Sequence, residues 1–353
     1  MKNKKHAIGA LLAMLCLGGT GCVSTPERPA PRLMLPELEA PREVQQQRAA
    51  EFRKLTANIR IRGVGVHLFS VRRLGIPLNE LLDRIAELGF NRIYCYVSSE
   101  SQLDEFFQEF IIKAVNRGLP VEVILNQRDF YFRSTGNKIV RLFRPNYLRV
   151  DDAAGSVARF DSMLPAGAKL AGVTVVIEPH LFTATNPDTP PDSIFCWSDK
   201  TFGSDLDNAM LMRECLERLR QAKTKAGHLP FTCATADFYH ELAVEGKLPV
   251  GKITDFCAIS RRVLLLDSGN KPSEAAKVVE NELAAMPKGS GALVGINLAE
   301  HTSVVTGALR RRDWNDFMRA TRYLLGRFEQ HPAFEGFLIA PFAALEFVRM
   351  ERD

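Results

Sequence analysis

The chain has 353 residues, 46% of them hydrophobic, so it can bury a sizeable core in a single α/β domain. Its formal net charge is +5, but Lys2, Lys4 and Lys5 lie in the first five positions, which leaves 43 of the 46 basic residues against 41 acidic ones. Because nucleic-acid-binding domains carry a concentrated basic surface, this balance argues against a nucleic-acid partner.

The first 21 residues have the features of an export signal, namely a basic start, an apolar run over Ala7–Leu17 and the small residues of "GGTGC". The apolar run is too short to span a bilayer, which takes about 20 helical residues. The segment resembles a bacterial lipoprotein signal, which implies that Cys22 is acylated. We therefore predict a cell-envelope protein anchored to a bacterial membrane through the lipid alone. Ser24 is not acidic and favours an outer membrane where the cell has one, and ordinary secretion is the alternative.

Residues 22–45 are interpreted as a tether. The stretch 23–41 contains five prolines and shows no hydrophobic periodicity, which is typical of an extended linker. A polar helical piece follows through Lys54. The domain proper is predicted to cover residues 46–353.

From residue 63 onward, strand-like apolar runs alternate with amphipathic helical patterns. In the first helical pattern, for example, Leu78, Leu81, Leu82 and Ile85 share one face. Eight runs are interpreted as strands: "GVGVHLF", "RIYCYV", "PVEVIL", "LAGVTVVIE", "FTCATA", "DFCAIS", "ALVGIN" and "GFLIA". This count predicts a (β/α)8 TIM barrel. The rival is a doubly wound open sheet, which no glycine-rich phosphate turn in the sequence supports.

In such a barrel the residues that follow the strands build the site. We therefore take the polar and aromatic side chains after each predicted strand as site candidates, and we add one exposed aromatic from the long loop "DSIFCWSDK". The candidates for substrate binding are His67, Tyr96, Asn126, Asp129, His180, Trp197, Asp237, Tyr239, Arg262 and Asn297.

Glu178 is the candidate general acid, because it ends the apolar run "GVTVVIE" and is followed by Pro179. An apolar strand end favours a protonated carboxyl group, which a general acid needs in order to protonate a departing oxygen. Glu300 is the candidate second carboxylate, from the loop after the seventh predicted strand. A separation of about 5 to 5.5 Å from Glu178 would favour a retaining glycosidase, and about 6.5 to 9.5 Å an inverting one.

These stretches resemble bacterial secreted or lipid-anchored (β/α)8 proteins similar to glycoside hydrolases. In "GVTVVIEPHLF", Gly172, Ile177, Glu178 and Pro179 match the family pattern Gly-Ile-His-Leu-Asp-Ile-Glu-Pro-Tyr. The runs "PFTCATADFY", "ITDFCAISRR", "GALVGINL" and "FEGFLIAPF" occupy the places of its later strands. The resemblance implies a glycosidase that acts on an oligosaccharide or polysaccharide, with Glu178 as its acid.

The chain departs from that pattern at several site positions. Thr174 and Val176 stand where the family has His and Asp, and "ISRR" stands where it has Met-x-Tyr-Arg. Asn297 stands where the seventh strand of the family carries Glu. Because an amide is neither a nucleophile nor a base, a second hypothesis remains open, in which the barrel is a non-catalytic pseudoenzyme that binds a glycan or an envelope partner.

The cysteines do not suggest disulfides or a metal centre. Cys95, Cys233 and Cys257 lie in apolar runs and are predicted to be small buried hydrophobes. No pair of cysteines has the spacing of a metal site, and His67, His180, His240 and His301 are spread singly over four predicted loops. We expect neither a metal nor another cofactor.

Overall fold

The computed structural model describes residues 40–126, 132–135, 138–141, 147–177, 205–236, 238–266, 272–297, 314–340 and 342. Ten strands occur in these ranges: β1 (Ile61–Val66), β2 (Arg92–Val97), β3 (Val121–Leu125), β4 (Phe132–Thr135), β5 (Lys138–Arg141), β6 (Gly172–Val176), β7 (Phe231–Ala236), β8 (Arg262–Leu266), β9 (Gly291–Asn297) and β10 (Phe334–Ala340). Eight are parallel and close into a barrel in the order β1-β10-β9-β8-β7-β6-β3-β2, while β4 and β5 form an antiparallel hairpin. The predicted (β/α)8 barrel is confirmed.

Helices connect these strands on the outside of the barrel. They are α1 (Arg42–Leu55), α2 (Leu68–Arg73), α3 (Leu78–Glu87), α4 (Glu105–Val115), α5 (Tyr147–Met163), α6 (Asp205–Ala226), α7 (Phe238–Val244), α8 (Ile253–Cys257), α9 (Pro272–Ala285) and α10 (Trp314–Phe328). Leu81, Leu82 and Ile85 of α3 are buried as predicted. Among the described residues, no helix has both the length and the apolar character needed to cross a membrane.

The first helix, α1, packs against the barrel wall. Phe52 lies 5.9 Å from Phe317 of α10 and 6.2 Å from Phe337 of β10, measured between ring centroids. The Arg48 guanidinium lies 6.0 Å from the ring centre of Trp314. Since Arg48 and Phe52 contact residues in the same order along α10, the two helices run parallel. The helix starts at Arg42, so residues 42–45, which the sequence predicts as part of the tether, belong to the helical shell of the barrel.

The interior of the barrel follows the two-residue alternation of its strands. One side chain from each strand meets in a central apolar cluster: Ile61, Tyr94, Ile124, Val176, Ala234, Leu264, Leu293 and Leu338. The intervening residues face the helices, as Val173, Val175 and Ile177 do around β6. Val176, two positions before Glu178 in the sequence, thus faces the inside of the barrel.

The sixth strand is not the one predicted from sequence. "DFCAIS" forms α8 and the turn after it, because the Asp255 side chain accepts hydrogen bonds from the backbone N–H groups of Gly251 and Lys252, at 2.7 and 3.0 Å, and starts a helix there. The strand is the next apolar run, "RVLLL", in β8. Arg262 therefore begins a strand instead of ending one. A short apolar run does not by itself distinguish a buried helix turn from a strand.

Candidate functional site

Two aromatic side chains meet where β1 and β2 end. His67 follows β1 directly, and Tyr96 is the next-to-last residue of β2. Their rings stack, with centroids 4.2 Å apart and planes inclined by 11°. We call this arrangement the rim pair. Both residues were predicted site candidates, and the structure brings them together at the carboxyl ends of the strands.

A glycine makes room for the rim pair. A Cβ atom added at Gly65 of β1 would lie 2.9 Å from Cε2 of Tyr96 and 2.7 Å from Cβ of Ala340. Since real Cβ atoms do not approach other atoms so closely, only glycine lets the Tyr96 ring lie across the top of β1. The position of the Tyr96 ring thus depends on the glycine at position 65 of the neighbouring strand β1.

Burial holds both members of the rim pair in their neutral forms. Desolvation lowers the pKa of His67 from 6.5 to about 4, and it raises the pKa of Tyr96 to about 12. At neutral pH the rim pair is therefore an uncharged imidazole stacked on an uncharged phenol. Such a pair combines aromatic faces with hydrogen-bonding groups.

We expect the burial of His67 to make stability depend on pH between about 6.5 and about 4. In that interval the unfolded chain binds a proton at this position while the folded chain does not, so the free energy of unfolding falls as the pH falls. The total loss should be about 3 kcal/mol, with the full contribution present above pH 6.5. Urea unfolding of His67→Gln should lack this slope, whereas His331→Gln should retain it. An unchanged slope in His67→Gln would contradict the assignment.

Two predicted asparagines also lie at strand ends. Asn126 directly follows β3 and is half-buried. Asn297 is the last residue of β9, where its register partner is Ala340 of β10. Together with the rim pair, Asn126 and Asn297 place four predicted residues at the carboxyl ends of β1, β2, β3 and β9. The remaining candidates Glu178, Glu300, Asp129, His180, Trp197, Asp237 and the predicted lipidation site Cys22 lie outside the described residues.

The residues predicted after the fifth strand have core positions. Tyr239 lies in α7 and is fully buried in the outer core. His240 is also buried, and its Nδ1 accepts a hydrogen bond of 3.3 Å from the backbone N–H of Ile253. Burial lowers the pKa of His240, with Lys252 acting in the same direction. The neutral imidazole therefore connects α7 to α8.

Arg262 does not belong to the rim, which corrects the prediction. As the first residue of β8 it lies at the amino-terminal end of the barrel, where its Nε donates to Oε2 of Glu335 at 2.7 Å. Burial opposes the charge of the guanidinium, but the hydrogen bond and charge of Glu335 outweigh it, so the pKa of Arg262 is raised. The sequence places Arg262 after the sixth predicted strand, whereas the observed strand begins at this arginine.

Arg262 is part of a charged layer that was not predicted from the sequence. Glu122 of β3 is 1% exposed; its Oε2 pairs with Nη1 of Arg92 at 3.0 Å, and its Oε1 accepts a hydrogen bond from Oγ1 of Thr174 at 2.6 Å. We call Arg92, Glu122, Thr174, Arg262 and Glu335 the base network. In the sequence, this network is indicated by charged residues near the start of several apolar strands. Arg92, Glu122 and Arg262 each lie two positions before a residue that faces the inside of the barrel.

Tyr94 lies above the base network, inside the barrel. Its side chain is fully buried, and its hydroxyl has no hydrogen-bond partner among the described residues. Burial raises the pKa of Tyr94 well above its usual value, with Glu122 acting in the same direction. An added Cβ at Gly63 would lie 2.6 Å from Cε2 of Tyr94, so glycine again makes room for a ring.

Comparisons with known proteins found similarity to solved structures alone. No family model and no curated protein matches it. Solved structures similar to it include an intracellular xylanase from Thermoanaerobacterium saccharolyticum, at 9% identity over 82% of this chain and 87% of that one, with a TM-score of 0.47. A GH18 chitinase from Pseudoalteromonas aurantia matches at 11% identity, over 76% and 91%, with a TM-score of 0.42.

A sugar phosphate isomerase/epimerase from Parabacteroides distasonis is similar to the same extent, at 10% identity over 82% of this chain and 94% of that one, with a TM-score of 0.43. One architecture hosts many different activities. At these identities and TM-scores, the reaction and the substrate have to be argued from the residues of this chain.

Proposed function

We propose that the protein acts on carbohydrate at the carboxyl ends of the barrel strands, as a glycoside hydrolase-like protein of the cell envelope. The observation that carries this proposal is the rim pair, a neutral stacked His67–Tyr96 at the mouth of a closed barrel. Sugar rings present both C–H faces and hydroxyl groups. The uncharged aromatic rings of the rim pair can pack against the C–H faces of a sugar. Their polar atoms, and the amide of Asn126 after the adjacent strand β3, can form hydrogen bonds with its hydroxyl groups.

The proposed general acid is Glu178. It follows the inward-facing Val176 by two residues and Ile177, which is buried, by one. A carboxyl group beside such an apolar strand end is more readily kept protonated, because desolvation disfavours its charged form. Glu178 would then protonate the departing glycosidic oxygen, and Glu300 would act as the second carboxylate.

Glycan binding without hydrolysis is the second candidate function, and Asn297 favours it. A two-carboxylate mechanism needs a second acidic group opposite the general acid, yet β9 ends in an amide. The inward-facing residues at the ends of three further strands, β6, β8 and β10, are also apolar: Val176, Leu266 and Ala340. In this case Glu178 would bind a sugar hydroxyl as a hydrogen-bond acceptor.

For localisation, we propose attachment to a bacterial membrane through a lipid on Cys22, with residues 22–41 as the linker to α1. The basic start, the apolar run Ala7–Leu17 and the small residues before Cys22 support this proposal. Release into the periplasm or the medium is the alternative. Mass spectrometry of the mature chain would show a diacylglyceryl group on Cys22 in the first case and an unmodified terminus in the second.

The test of the carbohydrate proposal is a binding and hydrolysis screen with oligosaccharides derived from chitin, xylan, mannan and peptidoglycan. We expect at least one class to bind, and Asn126→Ala to weaken that binding about threefold to tenfold, the value of one hydrogen bond to the sugar. Asn116→Ala, an exposed asparagine at the far end of α4, should bind as the wild type does. Equal loss in both variants, or no binding by the wild type, would contradict the proposal. Released sugar distinguishes the enzyme from the glycan-binding protein.

A further inference from the structure

The turn that follows the rim pair exposes apolar and basic side chains together. Phe69 of α2 is 55% exposed and Leu74 is 47% exposed, and Arg72 and Arg73 between them are also exposed. We call residues 68–77 the rim turn. Because it connects the end of β1 to the start of α3, it lies on the same end of the barrel as His67 and Tyr96.

The rim turn is firmly held, so the exposure of its apolar side chains is a feature of the fold. Val71 is buried beneath it, and the backbone N–H of Ile76 donates to the carbonyl oxygen of Val71 at 3.1 Å. The Arg72 guanidinium pairs with Asp104, the N-cap of α4, at 2.5 Å. Arg73 and the two large apolar side chains remain at the surface. Apolar side chains interspersed with arginine are typical of segments that lie in a membrane interface.

The predicted tether reaches the barrel at this same end. Helix α1 runs parallel to α10, and α10 ends beside the start of β10, where Phe328 contacts Phe334. Both helices therefore begin at the carboxyl ends of the strands. The chain enters at Ala40, which is buried and whose carbonyl oxygen accepts a hydrogen bond of 2.8 Å from Nε2 of Gln45.

The length of the tether agrees with a bilayer close to this end. Between Cys22 and Ala40, a chain in the polyproline conformation, at about 3.1 Å per residue, would span about 56 Å. Helix α1 packs on β10, which neighbours β1, so the entry point and the rim turn occupy adjacent sectors of the barrel. A lipid on Cys22 would therefore keep the rim turn within reach of the membrane surface.

We propose that the rim turn is a membrane contact, with Phe69 and Leu74 at the boundary between headgroups and acyl chains and Arg73 beside lipid phosphates. The proposal rests on the proposed lipid attachment, and it goes beyond that attachment by adding a protein surface to the lipid. Leu74 has no aromatic face to offer a sugar, whereas paired apolar side chains with a guanidinium match both layers of an anionic lipid surface. The barrel mouth then faces the bilayer, so glycans at the membrane surface are the substrates within reach.

The experiment is a depth measurement on the full chain, recovered from membranes and reconstituted in vesicles of phosphatidylethanolamine and phosphatidylglycerol. A fluorescent amino acid is placed at position 69 or at position 163, and nitroxide-labelled lipids serve as quenchers. Met163 is the matched control, because it is 72% exposed and ends α5, which runs towards the start of β6 at the opposite end of the barrel. We expect quenching at 69 and none at 163.

Four further outcomes decide the proposal. On anionic vesicles, Arg73→Gln should lower quenching of the probe at position 69 about fivefold. On phosphatidylcholine vesicles, the same variant should leave that quenching unchanged. Equal quenching at both positions, or a full chain that does not float with the vesicles, would overturn the proposal. So would a Leu74→Ser variant that loses affinity for soluble oligosaccharides while quenching at position 69 stays the same, since the turn would then bind sugar. The readout involves no hydrolysis, so a failure of the carbohydrate proposal would leave it unaffected.

Discussion

Replacement of Glu178 by glutamine is expected to lower glycoside hydrolysis by about 10²- to 10⁴-fold, the range of a lost general acid. Glutamine keeps the shape of the side chain but has no proton to give to the departing oxygen. The loss should be large in kcat for substrates with poor leaving groups. It should be much smaller for dinitrophenyl glycosides, because that phenolate departs without protonation.

The control for Glu178→Gln is Glu245→Gln, which alters an exposed glutamate beyond the end of α7 and should leave hydrolysis unchanged. Glu300→Gln tests the second carboxylate in the same assay. If Glu178→Gln retained wild-type activity on all leaving groups, Glu178 would not be the acid. If the wild type bound oligosaccharide but released no sugar, the protein would be a glycan-binding barrel.

The second large effect concerns stability. Glu122→Ala should lower the free energy of unfolding by about 3 kcal/mol or more, because it removes the charge partner of Arg92 and the acceptor for Thr174 at a position that is 1% exposed. Removing one member of a buried ion pair leaves the charge of the other member without a partner. Urea unfolding of the purified chain measures the change.

Two variants control for the loss of Glu122. Glu80→Ala breaks the exposed pair between Arg84 and Glu80 and should cost less than about 1 kcal/mol. The double variant Glu122→Leu with Arg92→Leu removes both charges and should be closer to the wild type than Glu122→Ala is. A loss below about 1 kcal/mol in Glu122→Ala would mean that the base network does not hold the barrel together.

The architecture was predictable because it depends on local patterns. Alternating apolar runs and amphipathic helices identified seven of the eight barrel strands in approximately the right places. Gly227, which adopts a left-handed φ of 62° directly after α6, is the kind of residue that ends a helix. The sixth strand was misplaced because "DFCAIS" and "RVLLL" are both short apolar runs, and only the Asp255 hydrogen bonds separate them. The packing of α1 on β10 depends on distant contacts with no local signal.

The candidate site was predictable where it lies directly at a strand end. His67, Tyr96, Asn126 and Asn297 were found by taking the residues that end strands. The stacking of His67 on Tyr96 could not be foreseen, because it depends on the space left by Gly65. The prediction for Arg262 was wrong because its strand was misplaced. Arg262 begins the observed strand, so it lies at the opposite end of the barrel from the predicted site.

We propose that sugar binds at the carboxyl ends of the strands, over the rim pair, with Glu178 as the acid. The most direct measurement is a crystal structure of Glu178→Gln with an oligosaccharide from the screen, since the inactive variant would retain its substrate. We predict a sugar ring over the His67–Tyr96 pair, with a glycosidic oxygen within hydrogen-bonding distance of the side chain at position 178. An oligosaccharide bound on the outer helices or at the base network, with the mouth free of sugar, would contradict the account.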